Sequence, residues 1–264
     1  MSTPLNLSRV FKLLVVVSFF QSVHSQLQVG FYTTSCTLAE TIVKDEVQKA
    51  FFRDPGVTAG LVRMHFHDCF VRTRGLGYDV PAGRRDGRVS KASDIPGNLP
   101  LPTFNVNNLT QHFANKGFTQ QEMVTLSGAH TIGRSHCTSF SNRLYNFNAT
   151  TNQDPSLDPA YAAQLKQQCP QGNTNANLVV PMDPASPTVT DASYYAGILK
   201  NRGLFTSDQT LLTNSATANQ VKQNARIPFL WKNKFSAAMV KMGQLEVLTG
   251  NAGEIRANCR VINS

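Results

Sequence analysis

The sequence predicts a mainly α-helical protein, and three observations carry that reading. Apolar residues recur at helical spacing over 38–52, over 58–71 and again over 229–248. A capping box, Thr119-Gln120-Gln121-Glu122, opens a further helix that runs through Met123, Val124 and Leu126 toward Gly128. Alternating strand patterns are scarce, whereas 96–102 and 172–187 are rich in Pro, Asn and Gly and read as loops.

The first segment of the chain is of another kind. Arg9 and Lys12 precede an apolar run at 13–20, which Val23-His24-Ser25 follows, the order of a secretory signal peptide. The run falls short of the ~20 residues that a membrane span needs, so no membrane partner is expected. Cleavage after Ser25 removes 25 of the 264 residues and leaves 239, residues 26–264, as one domain. The helix at 38–52 gathers Ile42, Val43, Val47, Ala50 and Phe51 on roughly one face. Asp54-Pro55-Gly56 reads as a turn before the next helix. From 73 to 101 no helix is predicted, a long structureless passage for a compact domain. In the last helix Phe235, Ala238, Met239 and Met242 form one buried stripe, which ordinary core packing explains.

Charge and cysteine usage narrow the setting. The formal charge is +9, and losing Arg9 and Lys12 lowers it to +7. Basic residues are spread along the chain, which argues against nucleic acid and suits an acidic polysaccharide or a charged surface better. Secretion makes disulfides available to Cys36, Cys69, Cys137, Cys169 and Cys259, but five is odd, so at least one is free or paired with another chain. Two sequons, at Asn108 and Asn148, are candidate glycan sites.

Two histidine clusters carry the chemistry. If 58–71 is a helix, Arg63 and His67 are four apart and share a face. A guanidinium beside an imidazole is a poor structural pair unless the imidazole stays neutral and works as a base. Hydrogen peroxide must lose a proton from one oxygen and gain it on the other as its O–O bond breaks. His67 suits that transfer, and Arg63 suits the charge that develops on the departing oxygen. His65 lies off that face and reads as a core histidine. A rival reading makes His65, His67 and Asp68 a nonhaem metal site, which requires a strand. The second cluster is Ser127-Gly128-Ala129-His130-Thr131-Ile132-Gly133. Its small residues leave room for a flat macrocycle close to the backbone, and a haem iron held by one histidine keeps its opposite face open. No Cys-x-x-Cys-His occurs, so covalent haem attachment is not indicated.

The clusters occur within a longer set of motifs: LVRMHFHDCFV, GRRDGRVS, NLPLP, EMVTLSGAHTIG, RLYNF, SDQTLL, AAMVKMG and VLTGNAGEIRANCR. Together they span nearly all of 26–264 and resemble the secreted plant peroxidases, class III of the plant, fungal and bacterial haem peroxidases. The resemblance implies a haem-peroxidase helical fold with haem b between distal and proximal halves. It also implies a monomer that reduces hydrogen peroxide while oxidising small phenolic donors. Position by position, it makes Arg63 the transition-state stabiliser, His67 the distal acid/base and His130 the axial haem ligand. Asp208 becomes the carboxylate that accepts the proximal imidazole N–H, and Pro100 the residue at the donor channel. Thr131, Asp183, Ser186, the Val189 carbonyl and Asp191 become a proximal calcium site, and Cys137 and Cys169 a disulfide.

The resemblance breaks after Val71. The family pattern continues into several dozen helical residues, whereas this chain passes directly to Gly77-Tyr78-Asp79, an internal truncation near 72–77. The missing block holds most distal calcium ligands, the asparagine that orients the distal histidine, and three cysteines. Asp68 and the Val71 carbonyl are what the distal calcium site keeps, too few for a six- to eight-oxygen shell. A skipped exon or an incompletely assembled gene gives such a deletion. It opens an alternative to the active enzyme, a secreted haem-binding protein with little turnover. The chain ends at Ser264, just past Cys259, without the long extension that vacuolar sorting implies, so extracellular space or cell wall is the expected location.

Overall fold

A computed structural model describes residues 27–68, 79–89, 91–95, 97–173 and 175–264, with the side chains of 64–68 and 94 outside the description. The signal segment 1–25, Cys69, Val71 and the truncation at 72–77 therefore lie outside the described residues. Helices dominate, as the periodicity predicts. α1 (Ala39–Arg53) and α2 (Gly56–Asp68) are separated by the Asp54 turn, in which the Asp54 carboxylate accepts the Gly56 N–H at 2.8 Å. After a short 3-10 turn at Ala92–Asp94 come α3 (Val106–Asn115) and α4 (Gln120–Ser127), and α4 runs straight into a 3-10 turn at Gly128–Thr131. α5 (Ser141–Leu144) and α6 (Pro159–Gln168) follow, then α7 (Ser193–Leu199), α8 (Thr206–Gln209), α9 (Ser215–Arg226) and α10 (Pro228–Met242).

The loop reading of 172–187 needs one correction. Within it β2 (Val179–Pro181) pairs antiparallel with β1 (Arg134–His136), Ser135 opposite Val180. Three residues per strand are too few to show alternation in a Pro- and Asn-rich context. The passage 79–89 has no helix, as expected, but it is tied down. Ala82 bridges to Gln28, Arg85 to Leu248, and Asp86 to Glu254, so this strip joins the two ends of the domain.

The core has two parts. The larger packs α3, α4, α7, α9 and α10 around Met123, Val124, Tyr195, Ile198, Trp231 and Met239. The stripe predicted for α10 is buried at Phe235, Ala238, Met239 and Met242, with Trp231 added one turn earlier. A smaller cluster joins α5, α6 and β2 through Phe140, Leu144, Leu165 and Val180. The Cys137–Cys169 disulfide closes this second cluster. Cys36 and Cys259 are free and exposed. α1 behaves unlike the rest: it is a helix, as predicted, yet none of its residues is buried, and Ile42 and Val43 stand exposed. No helix among the described residues is long and apolar enough to cross a membrane.

Candidate active site

His130 is delivered by a well-defined local structure. Thr119 caps α4 by accepting the Glu122 N–H at 3.1 Å, while the Glu122 carboxylate accepts the Thr119 N–H at 2.8 Å. This is the capping box read from the sequence. α4 is buried along Met123 to Leu126, so its end is fixed, and the 3-10 turn that continues it carries His130. The sequence reading assigned Gly128 to room for a macrocycle, and the packing corrects this. A Cβ on Gly128 would sit 2.6 Å from the Tyr195 hydroxyl and 2.7 Å from Trp231 Nε1, so the glycine serves close packing against the core. Ser127, Ala129 and His130 line the cavity instead.

The imidazole is held from one side only. Its Nδ1 donates to Asp208 Oδ1 at 2.7 Å, and its Nε2 makes no hydrogen bond among the described residues. Phe205 and Tyr194 meet the ring edge-to-face, at 5.4 and 6.0 Å between centroids. Asp208 is 1% exposed and accepts further donors, the Phe205 N–H on Oδ2 at 2.8 Å and the Tyr194 hydroxyl on Oδ1 at 2.9 Å. Burial works to raise the Asp208 pKa, but the neighbouring His130 and these donors together hold it below the ordinary carboxylate value. The pair therefore keeps Nδ1 as donor and leaves Nε2 as the free ligand atom.

A cavity of about 540 Å³ opens beside His130. Ala59, Gly60 and Arg63 of α2 line one part, and His130, Phe205 and Met182 another. Pro100 is also in its wall. The structure thus brings Arg63, Pro100, His130 and Asp208 to one cavity. A largely apolar lining, with His130 held by Asp208 so that its Nε2 is left free, fits a porphyrin whose iron takes one protein ligand; His136 also lines the cavity but has no such anchor among the described residues. Residues 65, 67 and 68 lie in α2, but their side chains are outside the description. The helical backbone counts against His65 and His67 as a ligand pair, because residues two apart on a helix do not share a face.

The expected calcium ligands also come together. The Thr131 hydroxyl lies 3.4 Å from the Val189 carbonyl and 3.2 Å from Asp191 Oδ1. Ser186 donates to the same Asp191 oxygen at 3.0 Å. Ser193, which sequence reasoning missed, touches Ser186, Asp183 and Asp191 with its hydroxyl and gives its N–H to Asp191 at 2.8 Å. Burial pushes the Asp191 carboxyl up, yet the Ser193, Ser186 and Thr131 donors hold it below its ordinary value. No lysine or arginine among the described residues pairs with either carboxylate. Converging carboxylate, hydroxyl and carbonyl oxygens without a cationic side chain fit a hard divalent cation. Tyr194 and Phe205 were also missed, since neither has a local sequence signal that separates it from core packing.

The comparisons agree with the geometry. A family model described as Peroxidase matches residues 73–226. Peroxidase 5 of Vitis vinifera is 58% identical over 315 aligned residues, covering 95% of this chain and 96% of the relative. Peroxidase 3 of Arabidopsis thaliana is 39% identical, over 94% and 97%, and Peroxidase 1 of Zea mays 38%, over 90% and 84%. In the grapevine alignment, 95% of 264 residues is about 251, so about 64 of the 315 positions face no residue of this chain. With a family match over more than half its length and relatives alike nearly end to end, this chain belongs to the peroxidase family, as one of the class III haem peroxidases of plants.

Proposed function

We propose that this peroxidase would hold haem b in the cavity shared by His130 and Arg63, through His130 Nε2, with Asp208 as the anchor of that imidazole. The observation that carries the proposal is the His130–Asp208 hydrogen bond of 2.7 Å at the wall of a cavity that Arg63 also lines. Haem b, when bound, supplies the redox centre through which peroxide is reduced and an aromatic donor oxidised. His67 takes a proton from one peroxide oxygen and returns it to the other as the O–O bond breaks. Arg63 stabilises the negative charge on the departing oxygen. One peroxide thereby becomes two waters, and two phenols each give up an electron and a proton. Pro100 borders the path by which those phenols approach.

Calcium occupies the cluster of Thr131, Asp183, Ser186, the Val189 carbonyl and Asp191, with Ser193 beside it. A distal calcium is not expected, because Asp68 and the Val71 carbonyl supply too few ligands. The alignment positions without counterpart support residues missing from within this chain, and the break in the motif pattern after Val71 is where we place them. The comparisons favour the enzyme over a haem carrier without turnover. Further parts of the proposal are a signal peptide ending at Ser25, secretion to the extracellular space or wall, and glycans on Asn108 and Asn148. A monomer whose basic surface meets acidic wall polysaccharide completes it. Reconstitution of the mature chain with haemin, followed by steady-state phenol oxidation, tests the reading. Peroxide-dependent turnover that falls by about 10²-fold or more in Arg63→Leu is expected. Equal rates in wild type and variant reject the role given to Arg63.

A further inference from the structure

Asp208 Oδ1 accepts from two side chains at once. His130 Nδ1 lies 2.7 Å away and the Tyr194 hydroxyl 2.9 Å away, while Oδ2 is engaged by the Phe205 N–H. Tyr194 is 5% exposed, and its ring also packs edge-to-face on His130 and on Tyr195. Facing a carboxylate oxygen that only accepts, the hydroxyl acts as the donor. The residue before it is fixed as well, since Ser193 gives its N–H to Asp191 in the cation cluster. Tyr194 is therefore held at the start of α7, with its hydroxyl on the oxygen that His130 needs.

From this geometry we infer that Tyr194 is a positioning residue of the proximal site, which limits the pull of Asp208 on the His130 N–H by sharing one carboxylate oxygen. A lone pair given to Tyr194 is withdrawn from His130, and each donor to one acceptor weakens the other. The imidazole is left less anionic than Asp208 alone would make it, and Nε2 a weaker donor. The inference deepens the proposed role of His130 and rests on it.

The test uses the full mature chain, first without porphyrin. Tyr194→Phe removes the hydroxyl and keeps the ring. The His130 Nδ1 proton resonance, assigned by its loss in His130→Gln, is expected to move downfield as the His130–Asp208 bond tightens. Replacing tyrosine by 3-fluorotyrosine makes the phenol a stronger donor and is expected to move the same resonance upfield, with no movement in the Tyr194→Phe background. If Tyr194→Phe fails to fold, the fluorotyrosine shift decides alone. A resonance that stays in place under both changes overturns the inference. In the haem-loaded protein the Tyr194→Phe midpoint potential is expected to fall, whereas a merely structural role lowers thermal stability and leaves the potential unchanged. A chain that takes up no haem defeats the proposed function, and the haem-free resonance still decides the sharing.

Discussion

Arg143 links the small core cluster to the active site, and its removal has calculable consequences. The side chain is 1% exposed and its Nε donates to Asp154 at 2.7 Å, while Asp154 is itself 4% exposed. Nη1 points at the carbonyls of Gly203, Leu204 and Phe205, the last two at 3.0 Å. Phe205 packs on His130 and gives its N–H to Asp208, so these carbonyl contacts set the segment on which the proximal pair rests. Arg143→Met keeps most of the volume but strands a buried carboxylate and up to three carbonyls. Breaking such a pair from one side costs ~3–5 kcal/mol. At ~2–4 °C per kcal/mol for a domain near this size, the melting temperature should fall by about 6–20 °C. Adding Asp154→Leu should recover much of the loss, because replacing both charges by apolar groups avoids the stranded carboxylate. Calorimetry of wild type, single and double variants measures both steps. A single variant that melts within 2 °C of wild type refutes the argument, by the same conversion. So does a double variant no better than the single.

Acid stability draws on the same carboxylate. Burial works to raise the Asp154 pKa, but the Ser156 and Arg143 hydrogen bonds and the Arg143 charge hold it below the ordinary value. A depressed folded-state pKa gives stability that is present above the unfolded value, ~3.9, and lost as pH falls through the folded one. Asp154→Asn should therefore flatten the stability-versus-pH curve below about pH 4, seen by urea unfolding at successive pH values. Thr119→Ala removes the acceptor at the α4 cap and should cost ~1 kcal/mol by denaturant titration. Calcium should raise the melting temperature of the mature chain, by the equivalent of ~2.7 kcal/mol at a hundredfold excess over Kd. Asp191→Asn should remove that response, and a wild type indifferent to calcium contradicts the cation cluster.

The parts of the site legible in the sequence are those written over short stretches. The capping box at Thr119 fixes where α4 begins, and His130 follows from the end of that helix. Arg63 and His67 fall four apart in a segment whose helical spacing is plain. The pairing of His130 with Asp208 crosses 78 residues, and only the motif resemblance pointed to it. Tyr194 and Ser193 carry no local signal in the sequence, because what distinguishes them is tertiary, a hydroxyl aimed at a carboxylate. α1 shows the opposite failure. Its periodicity is correct, but periodicity states which residues share a face and not whether another element covers it. β1 and β2 were illegible because three-residue strands have no period to read.

Titration of the mature chain and of His130→Ala with haemin, followed at the Soret band, measures whether His130 holds the haem. An endpoint of one haem per wild-type chain is expected, with affinity lowered at least about tenfold in the variant, the loss that removal of a ligand or its anchor brings. A wild type without a Soret band, or a variant that binds haem as tightly as wild type, contradicts the role given to His130.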